Sequence, residues 1–422
     1  MYISKISLKN IRGFESLDFD LDRGDGQFAG WTVFTGSNGS GKSTLLKAIG
    51  FCLVPPDARI TLSNPLYFPS RNPIGPDCGI DLRFLRSETD DELPSAEGWP
   101  YPDYHEGISF RGLIGWNEGG IFTWTEHSAD RPLKGWFSCG YGPFRRITSP
   151  KENVEQVQRS KDSERFATLF FEAATLSEID PWLTTLKFQQ LEGSEVAAGQ
   201  LTFFLDLIGD SLLPDGFSVD RVDSKGLWLK NSDGVELSWF DMSDGHRVAI
   251  ILVADIVRHM IASYGLEALY DRDAEGKLFI KRSGVVLIDE IDAHLHPEWQ
   301  REIGFWLKDH FPKVQFLVTT HSPIILQAAD PNGLFVLPEP GSGEKPRPLT
   351  QEEYQKIIAS RPDSILLSPA FGMENTRSEP VVEKRARYSH LQAKKRAGGK
   401  LSAVEADECM NLLPFVSVDG EA

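Results

Sequence analysis

The chain has 422 residues, 41% hydrophobic and 25% charged, a globular composition that excludes collagen, long disordered arrays and small disulfide scaffolds. Forty-four Lys and Arg against 61 Asp and Glu leave a formal net charge of -17, so the bulk surface repels phosphate and any hold on nucleic acid would need a local basic patch. Cys52, Cys78, Cys139 and Cys409 are scattered, with no CxxC and no metal-ligand spacing; this indicates neither a disulfide framework nor zinc and fits a reducing cytoplasm.

The opening MYISKISLKNIRGF lacks the continuous apolar core of a secretion signal, and the greasiest run, Val248 to Ile261, is broken by Asp255, Arg258 and His259. Neither export nor a membrane span is expected. Leu17, Phe19 and Leu21 alternate with Asp18 and Asp20, and Trp31 to Thr35 is a second β-prone run, so the chain opens as strands. After Ser43, Leu45, Leu46, Ile49 and Cys52 fall at helical intervals until Pro55 and Pro56. From there to Pro150, Gly, Pro and Trp are frequent and short β-like runs such as Ile80 to Phe84 and Ile121 to Trp124 occur, which reads as an irregular β-rich insertion.

Residues 164–207 read as helical, with Phe166, Leu169, Phe170 and Ala173 at helical spacing. Asn231-Ser232-Asp233-Gly234 between two short apolar runs predicts a hairpin, and a long helix is expected from Gly245 to about Tyr264. Val285 to Ile288 and Val314 to Val318 are continuously apolar, as in strands buried on both faces. Between them Trp299, Ile303, Trp306 and Leu307 form one helical face after Pro297. This β-α-β pattern predicts a parallel sheet. PEPGSGEKPRP, beyond Leu337, reads as a linker, and the tail after it carries Lys384, Arg385, Arg387, Lys394, Lys395, Arg396 and Lys400. No repeat and no sustained heptads are present.

Gly36-Ser37-Asn38-Gly39-Ser40-Gly41-Lys42-Ser43 matches GxxxxGK[ST] in full, between a predicted strand and a predicted helix. Such a loop presents backbone N–H groups to phosphates, here with Asn38, Gly39, Gly41 and Thr44 lining it. Lys42 reaches the β and γ phosphates and the Ser43 hydroxyl ligates magnesium. Asp289-Glu290, ending an apolar strand, supplies the other half of an ATP site: Asp289 for the magnesium shell and Glu290 to orient or deprotonate water. The full match in its strand–helix context outweighs the plainer reading as a glycine-rich turn; Asp289 and Glu290 alone could be a solvated strand end, and pairing with the loop makes them half of a nucleotide site.

With these motifs, Lys9-Asn10-Ile11-Arg12-Gly13-Phe14, Met242-Ser243-Asp244-Gly245-His246-Arg247, VVLIDEIDAHLHPEWQ and FLVTTHSPIIL resemble the SMC/RecF-type branch of ABC ATPases. The likeness is strongest to bacterial ATPases of the overcoming-lysogenization-defect and Septu type, many of which act in antiphage defence. The resemblance implies that Ser243 and Gly245 form an ABC signature, although Met242 and Asp244 depart from LSGGQ. It also implies that His321 is the switch histidine, that Asp292 opens the D-loop, and that Arg12 approaches the phosphates. His294 and His296 raise the possibility of a metal, but a solvated loop is the simpler reading. No Q-loop glutamine is evident; Ser138 to Arg146 resembles the Tyr-Gly-x-x-Arg stretch that replaces it in relatives.

The expected fold class is α/β: a P-loop, ABC-type ATPase head with a parallel core sheet, an antiparallel β layer, a helical lid and a small tail. The division is 1–150 for the first lobe and its insertion, 151–235 for lid and hairpin, 236–337 for the second lobe, and 338–422 for linker and tail. The expected activity is hydrolysis of ATP with Mg2+ across composite sites of a homodimer or higher homo-oligomer. No toprim, HNH or other nuclease constellation is present, so a separate effector, a nuclease or toxin, is the expected partner. The alternatives are a RecF-like DNA clamp and a slowly hydrolysing ATP-bound scaffold. The basic tail, and Trp99, Trp116, Trp124 and Trp136 as base-stacking candidates, leave nucleic acid open as a partner, against plainer readings as a solvated helix and as core.

Overall fold

The computed structural model describes residues 1–24, 26–54, 62, 78–85, 109–117, 120–126, 137–145, 161–176, 179–213, 216–339 and 342–416. Its residues fall into two compact units, Met1–Pro362 and Asp363–Ala422.

In the first unit, β1 (Tyr2–Ile11) and β2 (Phe14–Asp20) form an antiparallel hairpin across the Arg12-Gly13 turn. The alternation read at Leu17, Phe19 and Leu21 places all three inward. The run from Trp31 becomes β3 (Gly30–Gly36), and α1 (Lys42–Leu53) follows the glycine loop. The insertion supplies β4 (Cys78–Leu85), β5 (Ser109–Asn117) and β6 (Gly120–Glu126), which extend the hairpin into a five-stranded antiparallel sheet, order β2-β1-β4-β5-β6. Trp99 and Trp136 lie outside the described residues, as do the side chains of Trp116 and Trp124. Next come β7 (Ser138–Tyr141), the helical hairpin α2 (Ile179–Leu191) and α3 (Glu195–Gly209), and the meander β8 (Ser218–Asp223), β9 (Gly226–Lys230) and β10 (Glu236–Ser238). The long helix is α4 (Asp244–Tyr264), followed by the ribbon β11 (Tyr270–Arg272) and β12 (Leu278–Ile280). The last part holds β13 (Gly284–Ile288), α5 (Pro297–His310), β14 (Val314–Thr319), β15 (Leu334–Leu337), β16 (Arg347–Pro348) and α6 (Gln351–Ala359).

The core sheet runs β16-β15-β3-β14-β13-β7 and is parallel except for β16. Both faces are covered, which is why its strands are continuously apolar. On one side Phe34, Leu287, Leu317 and Phe335 meet α1 and the antiparallel sheet in a single core, with Phe19 and Phe335 rings 4.6 Å apart. On the other, Trp31 and Phe316 are 5.5 Å apart, and α5 buries Trp299, Ile303, Trp306 and Leu307. No helix among the described residues is long and apolar enough to cross a membrane.

Two elements depart from expectation. Residues 164–207 are not one helical run: a short helix, Ala167–Phe170, stops where Phe171 turns extended. Packing overrides periodicity there, because Phe166 and Leu169 are drawn over Gly50 and Gly140. The stretch read as a linker returns to the core, since Arg347 and Pro348 pair with Val336 and Phe335, and Thr350 then caps α6 in a reciprocal box with Glu353. In the second unit, α7 (Glu379–Arg396) and α8 (Ala403–Leu412) pair through Arg387 with Glu408 and Lys394 with Glu405, so part of the basic cluster is neutralised within the tail.

One polar contact joins the two sheets. Gln315 is fully buried in β14, yet its Oε1 accepts from the Ile3 N–H at 2.7 Å and its Nε2 donates to the Ile3 carbonyl at 2.9 Å. The contact falls where β1 slips register against β4 between Ile3 and Lys5, leaving those backbone groups to be satisfied from the side. Gln315→Leu, similar in size, strands both groups. It should lower unfolding free energy by about 2 kcal/mol, read as a fall in the urea midpoint with an unchanged m-value.

Candidate nucleotide site

The glycine loop leaves the buried end of β3 and enters α1 through Gly41, at φ 98°. A Cβ there would collide with the Phe14 ring, so only glycine permits the turn. The same contact sets the Arg12 turn beside the loop. Asn38 and Gly39 are exposed at its tip, and Ser43 and Thr44 are half-buried in the first turn of α1. No side chain caps this helix and its first turn carries no acid, a helix amino end suited to an anion. The Lys42 Nζ donates to the carbonyls of Gly36 and Ser37 at 2.8 and 2.9 Å. Burial lowers its pKa, opposed by the nearby carboxylates of Asp289, Glu290 and Asp292.

At the end of β13, Asp289 is wholly buried. Its Oδ1 accepts from the Thr319 hydroxyl at 2.5 Å, whereas Oδ2 has no partner among the described residues. The hydroxyls of Ser37 and Ser40 are likewise buried without partners among the described residues. An orphan carboxylate oxygen near a loop of hydroxyls and a lysine fits a hard cation carrying phosphates; Asp289 and Ser43 are the residues that would hold magnesium. Thr319 also accepts from the Glu290 N–H at 2.7 Å, so one hydroxyl holds both acidic residues in register.

Glu290 is half-buried and adopts φ 48°, a left-handed conformation costing a non-glycine residue roughly 1–2 kcal/mol. Beyond it, the Asp292 Oδ1 accepts from the Thr320 hydroxyl at 2.5 Å and from the His321 N–H at 3.2 Å. Ser322 donates to Gln300 Oε1 at 2.6 Å, and Gln300 donates to the Leu295 carbonyl at 2.9 Å. His321 is thus tied by its backbone to the loop after β13. His294 and His296 are exposed, and no group of three metal-ligating side chains occurs among the described residues.

Ser243 caps the start of α4 from an exposed position, its Oγ 2.6 Å from His246 Nδ1. A Cβ on Gly245 would lie 2.6 Å from the His294 carbonyl, so glycine is required for α4 to rest on the Asp292 loop. Contacts of this turn include His246, His294 and Trp299.

Two residues with no assigned role complete the site. Thr319 was legible only as part of TTHS after a strand, and Arg145 only as the last basic residue of the Tyr-Gly-x-x-Arg stretch. Thr319→Val keeps the shape that suits β14 but removes the hydroxyl shared by Asp289 and Glu290. Phosphate release from ATP should fall by about 10–100-fold, as for other residues that orient ligands from behind, with the circular dichroism spectrum unchanged.

A family model described as "AAA domain, putative AbiEii toxin, Type IV TA system" matches residues 90–327, more than half of the chain, and a second AAA-domain model matches residues 5–64. Septu protein PtuA of Bacillus mycoides (strain KBAB4) is 28% identical over 382 residues, covering 89% of this chain and 45% of that protein. The Retron Vc95 probable ATPase of Vibrio cholerae serotype O1 biovar El Tor is 38% identical over 111 residues, 26% of this chain and 20% of that one. The chain therefore spans less than half the length of these two relatives. The SMC head domain from Thermotoga maritima aligns at a TM-score of 0.42 and 14% identity, over 83% of this chain and 100% of that chain. The chain belongs to the AAA-domain family of that first description.

Proposed function

We propose that the chain binds magnesium-ATP on residues 36–44 with Asp289 and hydrolyses it with Glu290 as general base. The observation that carries this reading is the Thr319 hydroxyl, which holds a buried, half-satisfied Asp289 and the backbone of Glu290 together. Bound magnesium would neutralise phosphate charge. Lys42 and the first-turn amides of α1 hold the phosphates, Glu290 takes the proton of the attacking water, and His321 senses the γ phosphate from a backbone tied to Asp292. Arg12 contributes positive charge from the turn beside Gly41.

Ser243 is exposed and Gly245 half-buried at the start of α4. They suit closure on a nucleotide held by another copy, which would make ATP the bridge of a homo-oligomer. We place the protein in antiphage defence, as the regulatory ATPase of a separate nuclease or toxin; the likenesses to a Septu PtuA and a retron ATPase support this context.

Lys42→Ala should abolish nucleotide binding while the fold remains, and wild-type affinity in that variant would remove the site. Glu290→Gln keeps the volume but cannot accept a proton. Its phosphate release should drop by about two to four orders of magnitude, with magnesium-ATP still bound. Light scattering should then report a larger assembly of Glu290→Gln with magnesium-ATP than without, and adding Ser243→Arg should dissolve it. An unchanged mass, with Ser243→Arg turning over at the wild-type rate, would leave the site confined to one chain.

A further inference from the structure

Arg145 is 3% exposed, yet its hydrogen bonds run to main-chain carbonyls and to no carboxylate among the described residues. Nη1 donates to Asp289 O at 3.1 Å; Nη2 donates to Glu290 O at 3.0 Å, Ile291 O at 3.2 Å and Ala293 O at 3.0 Å. Burial pulls this guanidinium down to about 10, against Asp292, Asp289 and Glu290, which hold it up. A planar fork of donors satisfies several carbonyls at once, as a lysine ammonium cannot. The carbonyls belong to the segment in which Glu290 is left-handed. Both backbone polar groups of Glu290 are therefore pinned from other elements, the N–H by Thr319 and the carbonyl by Arg145.

The arm that carries Arg145 is tethered at its base. The Tyr141 carbonyl accepts from Asp289 N–H at 2.8 Å, and its hydroxyl donates to Asp255 Oδ2 at 2.9 Å. Asp255 is buried in α4, where Arg258 also bonds it at 3.1 Å and the His259 ring lies 3.4 Å away. Burial acts to raise its pKa, but His259, Arg258 and Tyr141 together bring it to about 2, so Tyr141 bonds a charged carboxylate. The first turn of the same helix holds Gly245.

We propose that Arg145 is a positioning residue of the ATPase site: it sets Glu290 by clamping the carbonyls of residues 289–293, and the Tyr141–Asp255 hydrogen bond ties this clamp to helix α4. The inference rests on the hydrolytic reading above and adds to it how the base is held where the Q-loop glutamine is missing. The arm does so from behind the loop, through carbonyls, and makes no demand on the nucleotide.

Three variants test it: Arg145→Met, which keeps the stem and removes the donors, Arg145→Lys, and Tyr141→Phe. In Arg145→Met, kcat should fall about 100-fold, the scale of a misplaced reacting group, while KM and the affinity for a fluorescent ATP analogue stay within about two-fold. Arg145→Lys should recover part of kcat. Deuterium exchange of the 289–293 amides should speed up in both, with residues 36–44 unchanged. Tyr141→Phe should abolish any change in exchange of α4 that the analogue induces in wild type. Wild-type kcat in Arg145→Met, or unaltered exchange at 289–293 in either Arg145 variant, would overturn the clamp; a wild-type α4 response in Tyr141→Phe would overturn its tie to the helix. Should Arg145→Met not fold, exchange in Arg145→Lys decides. If wild type hydrolyses no ATP, the hydrolytic reading falls, while the exchange arms still judge the clamp.

Discussion

Asp289 carries a carboxylate into the interior at the end of a strand covered on both faces, and one of its oxygens meets no donor among the described residues. A buried charge of this kind is costly unless something compensates it. Much of the surrounding architecture does so in part: Thr319 donates to one oxygen, and Lys42 is placed where its positive charge is felt. The remaining deficit is what a magnesium-bound phosphate would fill. The site thus holds an incomplete electrostatic balance, which is the physical ground for the proposal that a divalent cation binds there with its nucleotide.

The two-sheet arrangement makes such a site affordable. In the antiparallel layer, Phe14 of β2 rests on Gly41 and sets the entry to α1, while Gln315 locks β1 to the parallel sheet. The glycine loop therefore departs from a strand fixed on both faces rather than from a free edge. On the opposite face, α5 is held through Gln300 to the loops after β13 and β14, so one side chain joins the segments bearing Asp292 and His321.

Several buried polar residues act on the site from behind. Thr319, Arg145, Tyr141 and Asp255 form a chain of contacts from Glu290 to the middle of α4. Continuity of this kind is a physical route for communication, though it becomes allostery only if the elements it joins have two arrangements that nucleotide distinguishes. The turn of Ser243 and Gly245, resting on the His294 carbonyl, gives α4 a second connection to the same loop.

Local chemistry is what made the proposed nucleotide site legible. GSNGSGKS needs only its own backbone to wrap a phosphate, and DE after VVLI needs only the end of a buried strand. The parallel sheet followed from continuous apolar runs around an amphipathic helix, for the same reason of short-range periodicity. Tertiary structure alone decided what depends on distant residues meeting. Helical spacing did not foretell the break after Phe170, because Phe166 and Leu169 pack on Gly50 and Gly140 from other elements. Composition concealed the return of Arg347 and Pro348 to the sheet, since a two-residue strand has no period to read. Arg145 stood in the sequence only as the Arg of the Tyr-Gly-x-x-Arg stretch, with no partner legible; it meets four carbonyls almost 150 positions away because β7 lies beside β13.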